Sequence, residues 1–480
     1  MMISVINFTP ALAEIFLGIM LCIILLVGVF FSKVRHLSYW MSQATLIISL
    51  FLIWISYIHS RGPVTLTFNN TFIFDDLALI LKALIAVTIF FVFTFSKKYN
   101  TDRHFPETEF YVLGLIAVLG MFVLVSGHNL ITLYLGIELL SLPTYAMVAL
   151  QKGKSRCIEA SMKYFLMGAL ASGILLYGFS ILFGITKSLD INQISQALSV
   201  SGDENQLIVI FALIFIIAGI AFKLGAAPFH VWVPDVYDGA PNSVTLFIST
   251  APKLAAFALL VRLLVEAMPV LVDQWQQIIL AIALISIALG NLVAIVQTNI
   301  KRLLAYSSIA HIGYMLLGIA CGTAAGDSAA LFYIISYTLM TLGAFGMVTL
   351  LSHAGYEANL IEDFAGLNSR HSWLAFMMML IMFSLAGIPP LIGFMAKVSI
   401  LETLIEIHLT WVAVVAILFA IVGAYYYIRV IKVMYFEEPT IAKPLEVPLD
   451  AAVVLSIAGI ATLLIGIFPG KLFEICHIIF

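Results

Sequence analysis

Long apolar segments recur along nearly the whole chain and are separated by short polar connections. A helix of about 20 apolar residues is long enough to cross a hydrocarbon layer of about 30 Å. The pattern therefore predicts an all-α polytopic membrane protein with about fourteen transmembrane helices. These helices are predicted near residues 10–31, 38–58, 75–96, 109–126, 129–150, 160–184, 206–235, 242–267, 275–297, 302–321, 328–352, 373–402, 409–434 and 449–469.

Glycine and proline interrupt two of the predicted helices in the middle of their apolar segments. The seventh contains Gly225 followed by Pro228, and the twelfth contains Gly387 followed by Pro389. Proline removes a helical hydrogen bond, and the freed backbone is tolerated at membrane depth only inside protein or beside a wet cavity. The sequence thus predicts that helices 7 and 12 are discontinuous.

The two interruptions fall at equivalent positions if helices 4 to 8 and helices 9 to 13 are five-helix repeats. Because five is odd, the second repeat enters the membrane in the opposite sense, as in the inverted repeats of many transporters. The predicted domains are an N-terminal unit of three helices with an outer β-hairpin (1–108), the first repeat (109–267), the second repeat (268–436) and a C-terminal helix (437–480).

Composition supports a membrane protein and gives no sign of several other classes. The chain is 62% hydrophobic and only 10% charged, with a mean hydropathy of +1.11. The net charge of −3 does not indicate a nucleic-acid partner. The four cysteines are scattered singly, so the sequence predicts neither an iron–sulfur cluster nor a zinc site. No glycine-rich nucleotide-binding motif is found, and we expect no cofactor in this chain.

Basic residues in the short connections predict the orientation, because Lys and Arg mark the cytoplasmic side of a membrane protein. Most of them follow odd-numbered helices, whereas Arg61 and Lys187 follow even-numbered ones. Both termini are therefore expected in the periplasm, with the chain in the inner membrane of a bacterium. No basic residue precedes the first apolar segment, so that segment is expected to be a retained helix and not a signal peptide.

Two polar segments are predicted to lie outside the membrane on the outer side. Residues 61–76 alternate apolar and polar positions around Asn69 and Asn70, which predicts a short β-hairpin. Residues 186–206 form a polar loop with room for a short helix. Neither segment is large enough to be a soluble catalytic domain.

Ionisable side chains within the apolar segments are the candidates for function. An unpaired charge at mid-membrane costs about 2.5–3.5 kcal/mol on insertion scales, so each one needs a reason. Burial disfavours the charged form of lysine and a nearby carboxylate favours it, so a glutamate that approaches or retreats could load and unload a proton. The predicted polar file comprises Glu138, Lys163, Lys223, Lys253, His311 and Lys397, with His230 beside the first break.

Structural roles remain alternatives for several of these residues. Lys163, like Lys82, could extend toward the membrane interface or bridge two helices. His230 and His311 could each be satisfied by two hydrogen bonds between helices. The acidic residues near helix ends are expected at the interface and outside any functional site, namely Glu14, Asp75 and Asp76.

Five segments carry a resemblance to a known family. The sequence resembles the antiporter-like membrane subunits of respiratory complex I, which are shared with the multi-subunit sodium/proton antiporters. The resemblance extends over roughly residues 75–436, in the same order and with the same spacing. The segments that carry it are "GIELLSLPTYAMV", "EASMKYFLMGALAS", "FKLGAAPFHVWVPDVYDGAP", "QTNIKRLLAYSSIAHIGYM" and "SLAGIPPLIGFMAK".

The resemblance implies a role in proton transfer for each member of the polar file. Glu138 and Lys223 are implied to form an ion pair that modulates proton affinity. Lys253 is implied to be the central connecting lysine, and Lys397 the lysine on the exit side. The remaining implied members of this water-linked pathway are His230, His311 and, less directly, Lys163.

The resemblance also implies a function and partners. The expected function is proton translocation as a membrane-arm subunit of NADH:quinone oxidoreductase, a translocase whose redox chemistry takes place outside this chain. Subunits M and K, membrane lipid and protons are the implied partners, while other subunits use FMN, iron–sulfur clusters, NADH and quinone. A cation/proton antiporter subunit is the alternative. A haem- or quinone-binding electron carrier is a third class, although only His230 and His311 lie well inside helices.

Overall fold

A computed structural model of the chain describes residues 7–30, 35–59, 64–200, 206–352, 355–439 and 447–480. Residues 61–63 of the predicted hairpin segment and residues 201–205 of the predicted outer loop lie outside this range, as do three of the basic residues in the connections that predict the orientation, Lys33, Arg61 and Lys443. The helices are α1 (Leu12–Phe30), α2 (Arg35–His59), α3 (Asp76–Asp102), α4 (Glu107–Val125), α5 (Leu130–Val148), α6 (Ser155–Thr186), α7 (Ile191–Val200), α8 (Gln206–Leu224), α9 (Trp232–Gly239), α10 (Asn242–Ser249), α11 (Ala251–Leu260), α12 (Val272–Ile295), α13 (Ile300–Ile319), α14 (Ala324–Leu351), α15 (Leu367–Arg370), α16 (Ser372–Ala386), α17 (Ile392–Glu406), α18 (Thr410–Phe436), α19 (Leu449–Ile467) and α20 (Gly470–Ile479).

These helices confirm the predicted number of membrane crossings. Across the described ranges, twelve helical segments are long and apolar enough to span a membrane. Another crossing is α13, which is less apolar because it carries Lys301, Arg302 and His311. The last is the pair α16 and α17, which share one apolar segment with a break between them. Together they make fourteen.

The outer rim of the bundle is built from backbone contacts between connections that follow even-numbered crossings. The predicted hairpin is present as β1 (Thr65–Thr67) and β2 (Phe72–Phe74), with Asn69 and Asn70 in the left-handed region between them. β2 is bridged to the α4–α5 connection at Gly127. That connection is in turn bridged to the segment before α7, which confirms the short helix predicted in the outer loop. We call these bridged connections the outer rim.

The opposite end carries the connections that follow odd-numbered crossings, and we call it the inner rim. Glu357 accepts hydrogen bonds there from Tyr99, Arg103 and Lys154, which belong to connections far apart in sequence. Asp238 accepts from Arg156 and Asn299 in the same way. The basic side chains that predicted one orientation therefore gather at a single end of the bundle.

The two repeats are visible in the backbone of the rims. Asn129 begins α5 at the outer rim, and its side chain accepts a hydrogen bond from Ile131. Asn299 begins α13 at the inner rim, and its side chain accepts from Lys301 and Arg302. The residue after each asparagine donates its N–H to the carbonyl of a later loop, from Leu130 to Leu189 (3.0 Å) and from Ile300 to Asn359 (2.8 Å). The same arrangement, an asparagine N-cap followed by a backbone hydrogen bond to a later loop, thus occurs at opposite ends of the bundle, as expected for inverted repeats.

Glycines allow the leading helix pair of each repeat to pack with its backbones close together. A side chain at Gly120 of α4 would meet the α5 backbone near Leu140 at 2.4 Å. A side chain at Gly290 of α12 would meet the α13 backbone at Ala310 at 2.6 Å. Small residues at such contacts are typical of membrane helices, because dispersion is gained only when the helices approach closely. The close pairs α4–α5 and α12–α13 therefore occupy matching places at the start of the two repeats.

Candidate functional site

The break in the seventh crossing begins where α8 ends, at Leu224. The next residue, Gly225, has a φ of +75°, a conformation that only glycine adopts without strain. The Lys253 ammonium of α11 donates a hydrogen bond to the Leu224 carbonyl. A Cβ at Gly225 would lie 3.2 Å from the Lys253 Nζ and 2.7 Å from Val233. Glycine is therefore required both for the turn and for the approach of the lysine.

The break in the twelfth crossing has the same construction. α16 ends at Ala386, and Gly387 follows with a φ of +85°. The Lys397 ammonium of α17 donates to the carbonyls of Leu385 (3.2 Å) and Ala386 (2.9 Å). A Cβ at Gly387 would lie 2.9 Å from the Lys397 Nζ. Both breaks predicted from the sequence are present, and each holds a lysine at the end of a half-helix.

Each of these lysines places a cation on the C-terminal carbonyls of a half-helix. The last carbonyls of a helix lack partners within it and carry the negative end of the helix dipole, so an ammonium is stabilised there. Lys253 is 1% exposed and Lys397 is 8% exposed. Among the described residues, no carboxylate lies within 4.0 Å of either ammonium. Backbone carbonyl dipoles therefore take the place of a counter-ion. A lysine that loses its proton also loses its electrostatic attraction to these carbonyls.

Lys223 and Glu138, which the resemblance implies to be an ion pair, are neighbours and make no direct salt bridge within 4.0 Å in the described part of the chain. The Lys223 ammonium donates to the Ser141 hydroxyl at 2.7 Å, and Ser141 lies one turn after Glu138 on α5. The Glu138 Oε1 atom is buried and has no hydrogen-bond partner among the described residues. Movement of the Glu138 carboxylate toward or away from the Lys223 ammonium would change the proton affinity of the lysine.

A small cavity continues from Lys223 toward the centre of the bundle. Its volume is about 30 Å³, which is enough for one water molecule. Ser141 and Thr144 contribute hydroxyls to its wall, and Pro252, the neighbour of Lys253, lies on the other side. Water in this cavity would connect the Lys223 region to the segment that carries Lys253.

His311 lies at the centre of a cluster of tyrosines in the second repeat. Its Nδ1 hydrogen-bonds with Tyr333 at 2.7 Å, and its Nε2 with Tyr427 at 3.1 Å. The Tyr427 hydroxyl also contacts the Ser307 hydroxyl at 2.5 Å. Both ring nitrogens are thus satisfied, as the structural alternative for His311 requires, but their partners are hydroxyls that can themselves pass a proton. The Lys397 ammonium lies 5.4 Å from the ring centroid of Tyr314, and the Tyr314 ring stacks on that of Tyr333 with 6.0 Å between centroids.

Lys163 and His230 lie apart from the buried lysines. The Lys163 side chain is 42% exposed on the flank of α6, and its ammonium contacts Asp235 at 2.8 Å and Glu159 at 2.9 Å. Arg302 also contacts Asp235, at 3.0 Å. His230 is half-buried in the first break, and its Nδ1 has no hydrogen-bond partner among the described residues. The structure therefore places Lys163 in a network of ion pairs at the helix surface.

The structure contains buried charges that the sequence did not assign to any network. Arg262 is fully buried and donates to Asp75 through two nitrogens, at 2.7 and 2.8 Å. It also contacts Glu266 at 2.5 Å, within a short π-helical segment (Val261–Glu266) that follows α11. Lys82 contacts Glu14 inside the N-terminal unit, where both are buried. Asp75 and Glu14, which were expected at the interface, thus lie near helix ends and are both held in ion pairs.

The fold and the site together define an ion-translocating membrane protein built from inverted repeats with broken helices. The NADH:quinone oxidoreductase/Mrp antiporter membrane family matches residues 127–424. The chain is 57% identical over 476 residues to NADH-quinone oxidoreductase subunit N of Coxiella burnetii, with 99% of each chain covered. This chain thus belongs to the NADH:quinone oxidoreductase/Mrp antiporter family and, within it, to the subunit N group.

Solved structures agree with this assignment. A chain of respiratory complex I from Thermus thermophilus with bound aureothin has a TM-score of 0.82 at 30% identity, covering 96% of this chain and 99% of that chain. A chain of the Mrp complex from a Dietzia species has a TM-score of 0.87 at 19% identity, covering 98% and 96%. The second likeness shows the fold alone.

Proposed function

We propose that this chain is the proton-translocating subunit N in the membrane arm of a bacterial NADH-quinone oxidoreductase. The main observation in support of this proposal is the pair of buried lysines, Lys253 and Lys397. Each is held at the end of a half-helix by backbone carbonyls. A cation that depends on dipoles alone is poised to exchange its proton when the local field changes. Electron transfer from NADH to quinone takes place in other subunits, which hold FMN and the iron–sulfur clusters.

The proton pathway in this proposal runs from Glu138 and Lys223 to Lys253 and then to Lys397. When Lys223 loses its proton to water, Ser141 can reverse its hydrogen bond and donate to the neutral amine. Lys253 and Lys397 each lose a charge-assisted hydrogen bond on deprotonation, so the half-helix end that they hold is released. Proton transfer and the position of each break are thereby coupled. The other proposed members of the pathway are His230, His311 and Lys163.

Location and partners follow from the same proposal. The chain lies in the bacterial inner membrane with the inner rim in the cytoplasm and both termini in the periplasm, because the basic residues gather at the inner rim. Subunits M and K contact it within the membrane arm. The two repeats are bounded at residues 109–267 and 268–436, between the N-terminal unit (1–108) and the C-terminal helix (437–480).

The proposal is tested with Lys223→Ala and Glu138→Ala, each assembled in the complete complex in its native membrane. We expect NADH-dependent quinone reduction and proton pumping to fall together by about fivefold, since one group that holds or tunes the transferred proton is lost. Lys432→Ala, at an exposed lysine of α18, is the control for loss of a positive charge. Pumping that continues unchanged in both variants would exclude the pathway. Sodium-dependent proton exchange without NADH would favour the antiporter alternative.

A second expected result concerns the contact between glycine and lysine in the twelfth crossing. Gly387→Ala should lower NADH-driven pumping, because the new Cβ would displace the Lys397 ammonium from its carbonyls. It also places alanine in the left-handed region, at a cost of about 1 kcal/mol. Gly355→Ala is the matched control, because Gly355 has a φ of +77° and a Cβ added there would have no atom within 4 Å to displace. Equal pumping in the two variants would show that the lysine contact is not needed.

A further inference from the structure

Two hydroxyls, one in each repeat, are buried without a direct hydrogen bond to any described residue. The Tyr237 side chain of α9 and the Ser308 side chain of α13 are 0% and 1% exposed. Neither the Tyr237 hydroxyl nor the Ser308 hydroxyl has a partner among the described residues. Burying a hydroxyl without a partner costs free energy, and in native proteins such groups are usually satisfied by an internal water. These two positions therefore point to bound water.

The two hydroxyls lie between the inner rim and His311. α13, which carries Ser308, packs against α9, which carries Tyr237, and against α14, which carries Tyr337. The Tyr337 ring is in turn 5.2 Å from the imidazole of His311, measured between ring centroids. His311 follows Ser308 by three positions, so they lie on the same side of α13, with a rise of about 4.5 Å between them.

The inner-rim end of the same path carries charged groups that reach solvent. Asp238 directly follows Tyr237 and accepts from Arg156, whose side chain is 64% exposed. Lys301 is buried beside it, and its ammonium donates to the Ala240 carbonyl at 3.0 Å. Lys301 precedes Ser308 by seven residues, so both lie on one face of α13 with a rise of about 10 Å between them. Polar side chains therefore follow one another along α13 from the inner rim toward His311.

We propose that Tyr237 and Ser308 hold water in a second proton-uptake branch, which leads from Asp238 at the inner rim to His311 and Lys397. This branch reaches Lys397 without passing through Lys223, and it rests on the proposed function. In each transfer a hydroxyl or water accepts one proton and releases another to the next acceptor. No group in the branch keeps a changed charge once the proton has passed. Water beside Ser308 passes the proton through the Tyr427 hydroxyl to Nε2 of His311, and Tyr333 receives the proton that Nδ1 then releases.

The test uses Tyr237→Phe and Ser308→Ala in the assembled complex, reconstituted in liposomes and driven by NADH. We expect proton pumping to fall by about fivefold in each variant, the size expected from one lost buried hydrogen bond. The loss should grow as the pH at the inner rim rises, because protons become scarce there, and the solvent deuterium effect on pumping should increase. The double variant should be no worse than either single variant, because both interrupt one path.

Tyr111→Phe is the matched control, since Tyr111 is a buried tyrosine of α4 that packs against Phe93 and Phe110. A purely structural role for Tyr237 and Ser308 would lower the amount of assembled complex and leave its pH profile and isotope effect unchanged, which would overturn the branch. If Lys223→Ala abolishes pumping while Tyr237→Phe pumps normally, the branch is excluded and the proposed function stands. If neither change affects pumping, both are excluded.

Discussion

Lys397→Met and Lys253→Met should each lower NADH-driven proton translocation by at least about tenfold, because each removes a group that carries the transferred proton. Methionine retains an apolar stem of similar length, so packing around the site is largely preserved. Loss of the ammonium leaves the terminal carbonyls of α8 or α16 without their donor. The effect is measured as acidification in liposomes that contain the assembled complex. Lys432→Met is the control at an exposed site.

Arginine at the same two positions separates the structural role from the chemical one. A guanidinium can still donate to the half-helix carbonyls, but it does not lose its proton in a protein. Lys397→Arg should therefore assemble as well as the unaltered complex and still fail to pump. Normal pumping by this variant would mean that Lys397 only holds the break in place. Since Lys397 lines a cavity of about 250 Å³ beside the small residues Ala416, Ala420 and Ala424, the larger side chain has room.

Arg262→Ala should destabilise the chain more than replacement of any lysine in the proton pathway. The guanidinium is fully buried and bound to Asp75 and Glu266, so its removal leaves two carboxylates without their cation. Breaking such a buried pair costs about 3–5 kcal/mol. We expect a marked fall in the amount and thermal stability of the assembled complex. The measurement is the midpoint temperature of dissociation of the purified complex.

Lys154→Ala is the control, because the Lys154 side chain is 52% exposed and its partner Glu357 keeps hydrogen bonds from Tyr99 and Arg103. Exposed ion pairs contribute less than about 1 kcal/mol, so this variant should be close to normal. If Arg262→Ala and Lys154→Ala are equally stable, the Arg262 cluster does not hold the outer rim. Adding Asp75→Asn to Arg262→Ala should restore part of the stability, since the unpaired negative charge is then removed.

The same cluster predicts a pH dependence at the outer rim. Burial by itself raises the pKa of the Asp75 carboxyl, but the Arg262 guanidinium lowers it further than burial raises it, so the net pKa lies below its usual value. A lowered folded pKa adds stability above the unfolded pKa, and this stability is lost as the pH falls through the folded value. We therefore expect acidification of the outer side below about pH 4 to weaken the complex.

The arrangement of the helices could be predicted from the sequence because lipid imposes strong constraints on it. The length of the apolar segments predicted the fourteen crossings. Glycine and proline within two of these segments predicted both breaks, at Gly225 and Gly387. Asn69 and Asn70 gave the outer hairpin. Each of these signals is local, since it depends on residues adjacent in the chain. The free-energy cost of a charged side chain inside the membrane also singled out Lys253 and Lys397 as candidates for function. Both lie where a buried cation requires a partner.

Contacts between distant segments could not be predicted in this way. Nothing in the sequence near Lys223 indicates that its ammonium bonds to Ser141 and makes no direct salt bridge with Glu138. Lys163 occurs in an apolar segment like the other lysines, but its partner Asp235 lies on α9 and draws it to the helix surface. Arg262 and Glu266 have the four-residue spacing of a helical ion pair, which is a signal that could have been used. The role of Asp75 depends on a contact across 187 positions.

The contacts at the rims have a consequence for how the molecule can move. The backbone bridge between Asn129 and Asp190 joins two connections of the first repeat, and the bridge between Asn299 and Leu360 joins two connections of the second. At the inner rim, Asn299 and Lys301 of the second repeat also donate hydrogen bonds to Asp238 and Ala240 of the first. Rocking one repeat against the other, as many transporters do, would have to break these contacts between the repeats. The molecule instead has the construction of a fixed frame. The conformational change during proton transfer should consist of changes in side-chain rotamers, in hydration and in the two short half-helix ends. The positions of the other helices should change little.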